Sequence, residues 1–305
     1  MNATTKAFLQ LHAAIFLAGF TGVLGRLIEL NEGWLVWYRM LISAILLFLY
    51  LFFSKTSFRI NKKYLLPCFY IGVMIAMHWI FFYGSIKYAN ISIALVCFAA
   101  TGSFTAILEP LILKRRIDLF EILLGILVLL GIYLIFHFDV QYKTGIVLGV
   151  AAAFLSALFP IFNKRLIQHV PATSLTLYEL SFGWVFLSSV LPFYFKLSPA
   201  TKMLPSFMDV FWLFVLSLFC TVLAMQLSIN ALKRISAFTA NLSYNLEPVY
   251  GIALAFFIFH EDEHLGKGFY MGMALILLSI AIQTIRVWKN RKKTELVLSQ
   301  LKIQE

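Results

Sequence analysis

The sequence predicts an all-α membrane protein, with ten transmembrane helices arranged as two inverted five-helix repeats around a central cavity. Three observations predict it. Hydrophobic residues make up 61% of the 305-residue chain and charged residues only 13%, too little polar surface for a water-soluble domain. Ten apolar segments recur, each close to the roughly 20 residues that a helix needs to cross a bilayer. The two halves also resemble each other, and an odd number of spans per half makes the second half enter from the opposite side.

The segments lie near residues 8–28, 34–53, 64–86, 91–113, 119–138, 144–166, 172–195, 210–232, 237–259 and 268–288. The first is too long for the apolar region of a signal peptide and no convincing cleavage site follows it, so it reads as a retained span. With the N-terminus inside, the inner loops hold Lys55, Arg59, Lys62, Lys63, Lys114, Arg115, Arg116, Lys164, Arg165, Lys233 and Arg234, and the tail is basic too. The outer loops keep only scattered single cations, which places both termini in the cytoplasm. The net charge of +11 therefore marks loops and not a nucleic-acid surface. Cys68, Cys97 and Cys220 all lie inside apolar runs and imply no disulfide framework.

Internal similarity divides the chain into a first repeat over 1–140, a second over 141–288 and a cytoplasmic tail over 289–305, expected as a short surface helix or a frayed end. Residues 14–28 align with 153–167, each ending in Arg-Leu-Ile, and Tyr38-Arg39 aligns with Tyr178-Glu179. A later register pairs Ala100 with Glu247, Thr101 with Pro248 and Lys114 with Glu261.

The ninth segment carries the strongest functional signal. Asn241, Ser243, Tyr244, Asn245 and Glu247 crowd its first half, and polar groups at that depth mark a protein-lined pathway. Pro248 removes a backbone N–H and predicts a broken helix there. Arg39 lies about 7 to 8 Å below the outer end of its segment, close in depth to Glu247. It either snorkels to headgroups or faces inward to pair with Glu247 or a substrate anion. Glu179 lies about 10 Å inside the inner end of its segment, as a neutral structural acid or as part of a proton or substrate path. His78 and Trp79 give the third segment an aromatic, partly polar face, and Thr101 stands among small residues of the fourth. The expected substrate-binding set is Glu247, Tyr244, Asn245, Asn241, Thr101, His78 and Trp79, with Arg39 and Glu179 as gating or ion-pairing residues. The Gly145-xxx-Gly149-xxx-Ala153 and Gly268-xxx-Gly272 patterns are close-packing helix faces.

His260-Glu261-Asp262-Glu263-His264 matches the HExxH zinc pattern. It falls in a short loop without an evident third ligand and reads as a solvated acidic turn, so no metal, catalytic residue or cofactor is expected. No nucleotide-binding loop appears either, which disfavours ATP-driven pumping by this chain alone.

Ten spans in two halves, Arg39 in the second span, the Tyr244–Glu247–Pro248 run, the acidic turn at Glu261 and Gly272 together make the chain resemble the drug/metabolite transporter superfamily, and within it the EamA-type ten-helix carriers. Lys114 stands where the second half has Glu261, a departure in the first repeat. The resemblance implies a basket formed by the first, third, fourth, sixth, eighth and ninth spans, with the second and seventh as gates. It implies a small organic substrate, often an amino acid or hydrophilic metabolite, and frequently export. The expected protein is a non-enzymatic secondary transporter of a bacterial cytoplasmic (inner) membrane, working by alternating access as a monomer or homodimer. The bilayer, a small-molecule substrate and a coupling proton are its expected partners. The alternatives are a translocator of lipid or lipid-linked precursors and an intramembrane metallo-enzyme built on the HEDEH turn.

Overall fold

The computed structural model describes residues 3–56, 58–114, 116–138, 140–197, 202–232, 243–244 and 246–303, and these contain helices but no strand. Nine helical stretches among them are long and apolar enough to cross a membrane, and Glu247–Phe259 is a shorter apolar helix. The chain runs through α1 (Ala3–Leu27), α2 (Glu32–Phe53), α3 (Leu65–Tyr88), α4 (Ile91–Phe98), α5 (Ala100–Leu113), α6 (Leu119–Phe138), α7 (Lys143–Leu166) and α8 (Ala172–Leu197). It continues through α9 (Phe207–Ser217), a π-helical turn (Leu218–Leu223), α10 (Ala224–Leu232), α11 (Glu247–Phe259) and α12 (Lys267–Ile303).

Local chemistry sets the helix ends. Asn31 and Asn90 side chains accept the backbone N–H of Trp34 and Ile93, capping α2 and α4, and Ser206 with Asp209 forms a capping box on α9. Lys114 and His260, both left-handed, close α5 and α11. Among the described residues the fourth span is divided between α4 and α5 at Ala99, the eighth is interrupted by the π-helical turn, and α11 begins at Glu247 with Pro248 in its first turn, where a missing N–H costs no helical hydrogen bond. Ala100 and Glu247, paired in the sequence register, are thus both first residues of their helices. The tail differs from expectation: it continues α12 as helix to Ile303.

The helices associate mainly in the pairs α3–α7, α6–α12, α3–α8, α2–α8, α1–α10 and α1–α11. Small residues set the closest approaches. A Cβ on Gly131 would lie 2.6 Å from the Gly272 carbonyl oxygen, and one on Gly272 would lie 2.3 Å from that of Gly131. Gly145 and Gly149 meet Ala89 and Cys97 as closely, so the predicted close-packing faces at these glycines are present. Most apolar bulk that does not pack inward lies on the perimeter, where Phe53, Phe193 and Phe257 are exposed. In a bilayer that surface is matched to acyl chains.

Candidate functional site

Arg39 is buried, and three of its five N–H donors bond to protein oxygens. Nη1 donates to Tyr83 OH at 2.7 Å, while Nε and Nη2 donate to Thr221 Oγ1 at 3.1 and 3.0 Å. The guanidinium lies 3.8 Å from the Trp79 ring centroid, a cation–π contact that needs the planar Arg fork. This excludes snorkelling: the side chain points across the bundle from α2 to α3 and to the π-helical turn. The π turn explains the reach of Thr221. Its hydroxyl donates to Leu216 O, five residues back, at 3.2 Å, and so presents its lone pairs to Arg39. Ser217, at the end of α9, donates to the Arg39 carbonyl at 3.3 Å and fixes the backbone as well.

Glu247, half-buried at the start of α11, faces this group. Its charge acts on Arg39, Tyr83, Cys220 and Tyr244, yet no ion-pair contact within 4.0 Å joins it to Arg39 among the described residues. Tyr244 meets Ser228 of α10 through a hydroxyl–hydroxyl hydrogen bond. The structure therefore brings Arg39, Trp79, Glu247 and Tyr244 into one neighbourhood. Asn241 and Asn245 lie outside the described residues. Thr221 and its π turn gave no sequence signal, since a bulge of this kind is not written in apolar spacing.

His78 and Thr101 are placed differently. His78 is buried, its Nδ1 sits 2.8 Å from Ala152 O of α7, and Phe82, Phe98 and Phe159 surround the ring. That carbonyl can only accept, so Nδ1 carries the hydrogen and ties α3 to α7. Thr101, half-buried, donates to Phe98 O at 2.7 Å and thereby bridges the joint between α4 and α5. Glu179 does not meet Arg39. It is 1% exposed, and its one hydrogen-bond partner among the described residues is Asn163 Nδ2, at 3.4 Å from Oε2.

The acidic turn corrects the sequence reading. Glu261 is 2% exposed, not solvated. One carboxylate oxygen accepts Ile91 N at 3.1 Å and pairs with Arg26, and the other accepts Ser92 N and Ser92 Oγ at 2.9 and 2.6 Å. An anion at the positive end of α4 is favourable, and these bonds join α1, α4 and the turn after α11. With its oxygens so committed, Glu261 is not available as the base that the HExxH reading requires, and no group of three His, Cys, Asp or Glu side chains among the described residues could hold a metal ion. Arg165, which aligns with Arg26, meets no such carboxylate, because Lys114 occupies the matching place. It donates instead to Ile112 O at 3.0 Å, and its neighbour Lys164 pairs with Glu109 at 2.7 Å.

The EamA-like transporter family model matches the chain twice, over residues 5–137 and 143–285. The chain belongs to the EamA-like transporter family. Among its relatives is the uncharacterized transporter YetK of Bacillus subtilis (strain 168), 25% identical over 299 residues, covering 92% of this chain and 87% of that protein. An uncharacterized transporter of Haemophilus influenzae is 28% identical over 153 residues, 46% of this chain and 48% of its own. A crystal structure superposes with a TM-score of 0.64 over 93% of this chain and 97% of its own at 15% identity, a likeness of fold. This EamA-like protein is a multi-pass integral membrane transporter, and the buried Arg39 group draws on both family matches, Arg39, Trp79 and Tyr83 from the first and Thr221 from the second.

Proposed function

We propose that this EamA-like transporter moves a small zwitterionic metabolite, an amino acid or a close analogue, by alternating access. One observation carries the reading: a buried guanidinium from α2 and a carboxylate at the start of α11 stand near one another, yet no ion-pair contact within 4.0 Å joins them among the described residues. Arg39 has five N–H donors, and three of its hydrogen bonds go to Tyr83 and Thr221. The remaining donors suit a substrate carboxylate, and Glu247 suits a substrate ammonium or a coupling proton. Tyr244 and Trp79 complete the proposed site, Asn241 and Asn245 are proposed for it from the sequence alone, and His78 and Thr101 act through the helices they anchor.

The paired helix starts at Ala100 and Glu247, the double family match and the exchange-symmetric helix pairs support two inverted repeats, divided near residue 140. The basic loops support a cytoplasmic position for both termini in a bacterial cytoplasmic membrane, and export is the direction that the family resemblance suggests.

The test is a thermal-shift screen of purified protein against amino acids and small polar metabolites, since a ligand of the folded state raises the melting temperature by mass action. A zwitterionic amino acid should stabilise wild type and fail to stabilise Glu247→Gln. Equal stabilisation of both proteins, or stabilisation only by lipid-linked precursors, would overturn the reading.

A further inference from the structure

The mechanism above leaves one buried carboxyl group unused. Glu179 is 1% exposed, its Oε1 finds no hydrogen-bond partner among the described residues, and the Oδ1 of its neighbour Asn163 finds none either. Two orphaned acceptors side by side in an apolar interior are an improbable arrangement for an ionised carboxylate, which would keep its charge uncompensated in hydrocarbon. A proton removes the larger cost, the uncompensated charge. A neutral Glu179 carboxyl donates the O–H of Oε2 to Asn163 Oδ1 once the amide is turned over, and Oε1 is then left as an uncharged carbonyl oxygen.

We propose that Glu179 and Asn163 form a proton-binding site at the α3–α7–α8 contact, separate from the Arg39–Glu247 group. The step is a simple protonation: the carboxylate takes up one proton and holds it as O–H donated to Asn163, then releases it when the contact opens. The surroundings define the two states. On α3 the one titratable group facing Glu179 is the Cys68 thiol; on α7 it is flanked by Asn163, whose neighbours Lys164 and Arg165 turn away to Glu109 and Ile112 O. On α2 the facing side chain is Met40, which lies against Gly183, while Arg39 is held by Tyr83 and Thr221. Among the described residues no cation acts on Glu179.

Nor does bulk solvent reach the carboxyl group, whose Oε1 is buried. A Cβ on Gly72 would lie 2.3 Å from Glu179 O and 3.0 Å from Gly183 N, and one on Gly183 would lie 2.7 Å from Gly72 O, so α3 and α8 touch through backbone. Loss of the proton therefore requires these helices to part and admit solvent. Proton occupancy at Glu179 sets whether α8 is docked on α3.

The site is tested without any substrate, so its failure is distinct from failure of the central-site reading. Infrared difference spectra of the full chain in lipid nanodiscs, between mildly acidic and alkaline buffer, should contain a protonated-carboxyl C=O band. Glu179→Gln should remove that band, and Glu247→Gln should keep it. Asn163→Val should retain the band but shift it to the frequency of a weaker hydrogen bond. Protection of α3 and α8 amides, after correction for the base-catalysed intrinsic rate, should fall at alkaline pH in wild type and stay constant in Glu179→Gln, after size-exclusion confirms folded protein. Identical difference spectra for wild type and Glu179→Gln overturn the proposal. So does an equal alkaline loss of protection in the two proteins.

Discussion

Arg39 and Glu179 occupy matched places with opposite outcomes. Each lies seven residues after the first residue of its helix, α2 or α8, about 10 Å in from an end, and the sequence register pairs them. Arg39 has three charge-assisted hydrogen bonds and an aromatic face beneath it. Glu179 has one long contact and an orphaned oxygen. In a low-dielectric interior a satisfied charge is a fixed structural element, whereas an unsatisfied acid is a group that changes state. The difference separates a held guanidinium, ready to meet a substrate, from a carboxyl group whose stable form is neutral.

The sharpest contrast comes from a third buried group. Glu261 is as buried as Glu179 but accepts from two backbone N–H groups, a hydroxyl and Arg26. Glu261→Ala leaves those donors without an acceptor and should cost about 3 kcal/mol or more, measured as a fall in the denaturation midpoint in detergent. Arg39→Lys retains charge but loses the fork to Thr221 and the planar stack on Trp79, with an expected cost of about 2 kcal/mol and weakened ligand stabilisation in the thermal-shift screen. Glu179→Gln, by contrast, keeps a neutral group beside Asn163 and should fall within about 0.5 kcal/mol of wild type. A loss comparable with that of Glu261→Ala would break the comparison, because it would mean that Glu179 holds an essential charge.

The smallest effect is expected at the surface. Arg286 donates to Asp118 at 2.5 Å and holds its carboxyl below the usual range, but the pair is partly exposed and screened. Asp118→Asn should cost about 0.5 kcal/mol or less. A lowered native value means that this contribution is fully present above the unfolded value of about 3.9 and is lost as pH falls through the native one. Melting curves of wild type and Asp118→Asn should therefore converge in acid.

What could be read in advance follows from which forces are local. The spans were legible because bilayer thickness sets the length of an apolar run, and the break before Glu247 because Pro248 cannot donate a hydrogen bond. The inward turn of Arg39 was narrowly legible from its depth. Its partner Thr221 was not, because the π turn that presents it depends on α9 packing beside α2, and no spacing rule encodes that. Glu261 was misread for a related reason: three consecutive acids look solvated, while the partners that bury the first lie at Arg26, Ile91 and Ser92, far away in sequence. The Lys114 departure became intelligible only with Arg165 resting on Ile112 O, where its counterpart Arg26 has a carboxylate.

The central claim is that Glu247 and Arg39 together bind the transported molecule. Its most direct test is uptake into proteoliposomes of the amino acid that gives the largest thermal shift, comparing wild type with Glu247→Gln at equal incorporation. Wild type should show time-dependent uptake, and Glu247→Gln only the uptake of empty liposomes. Equal rates for the two proteins would contradict it and move the binding site away from α11.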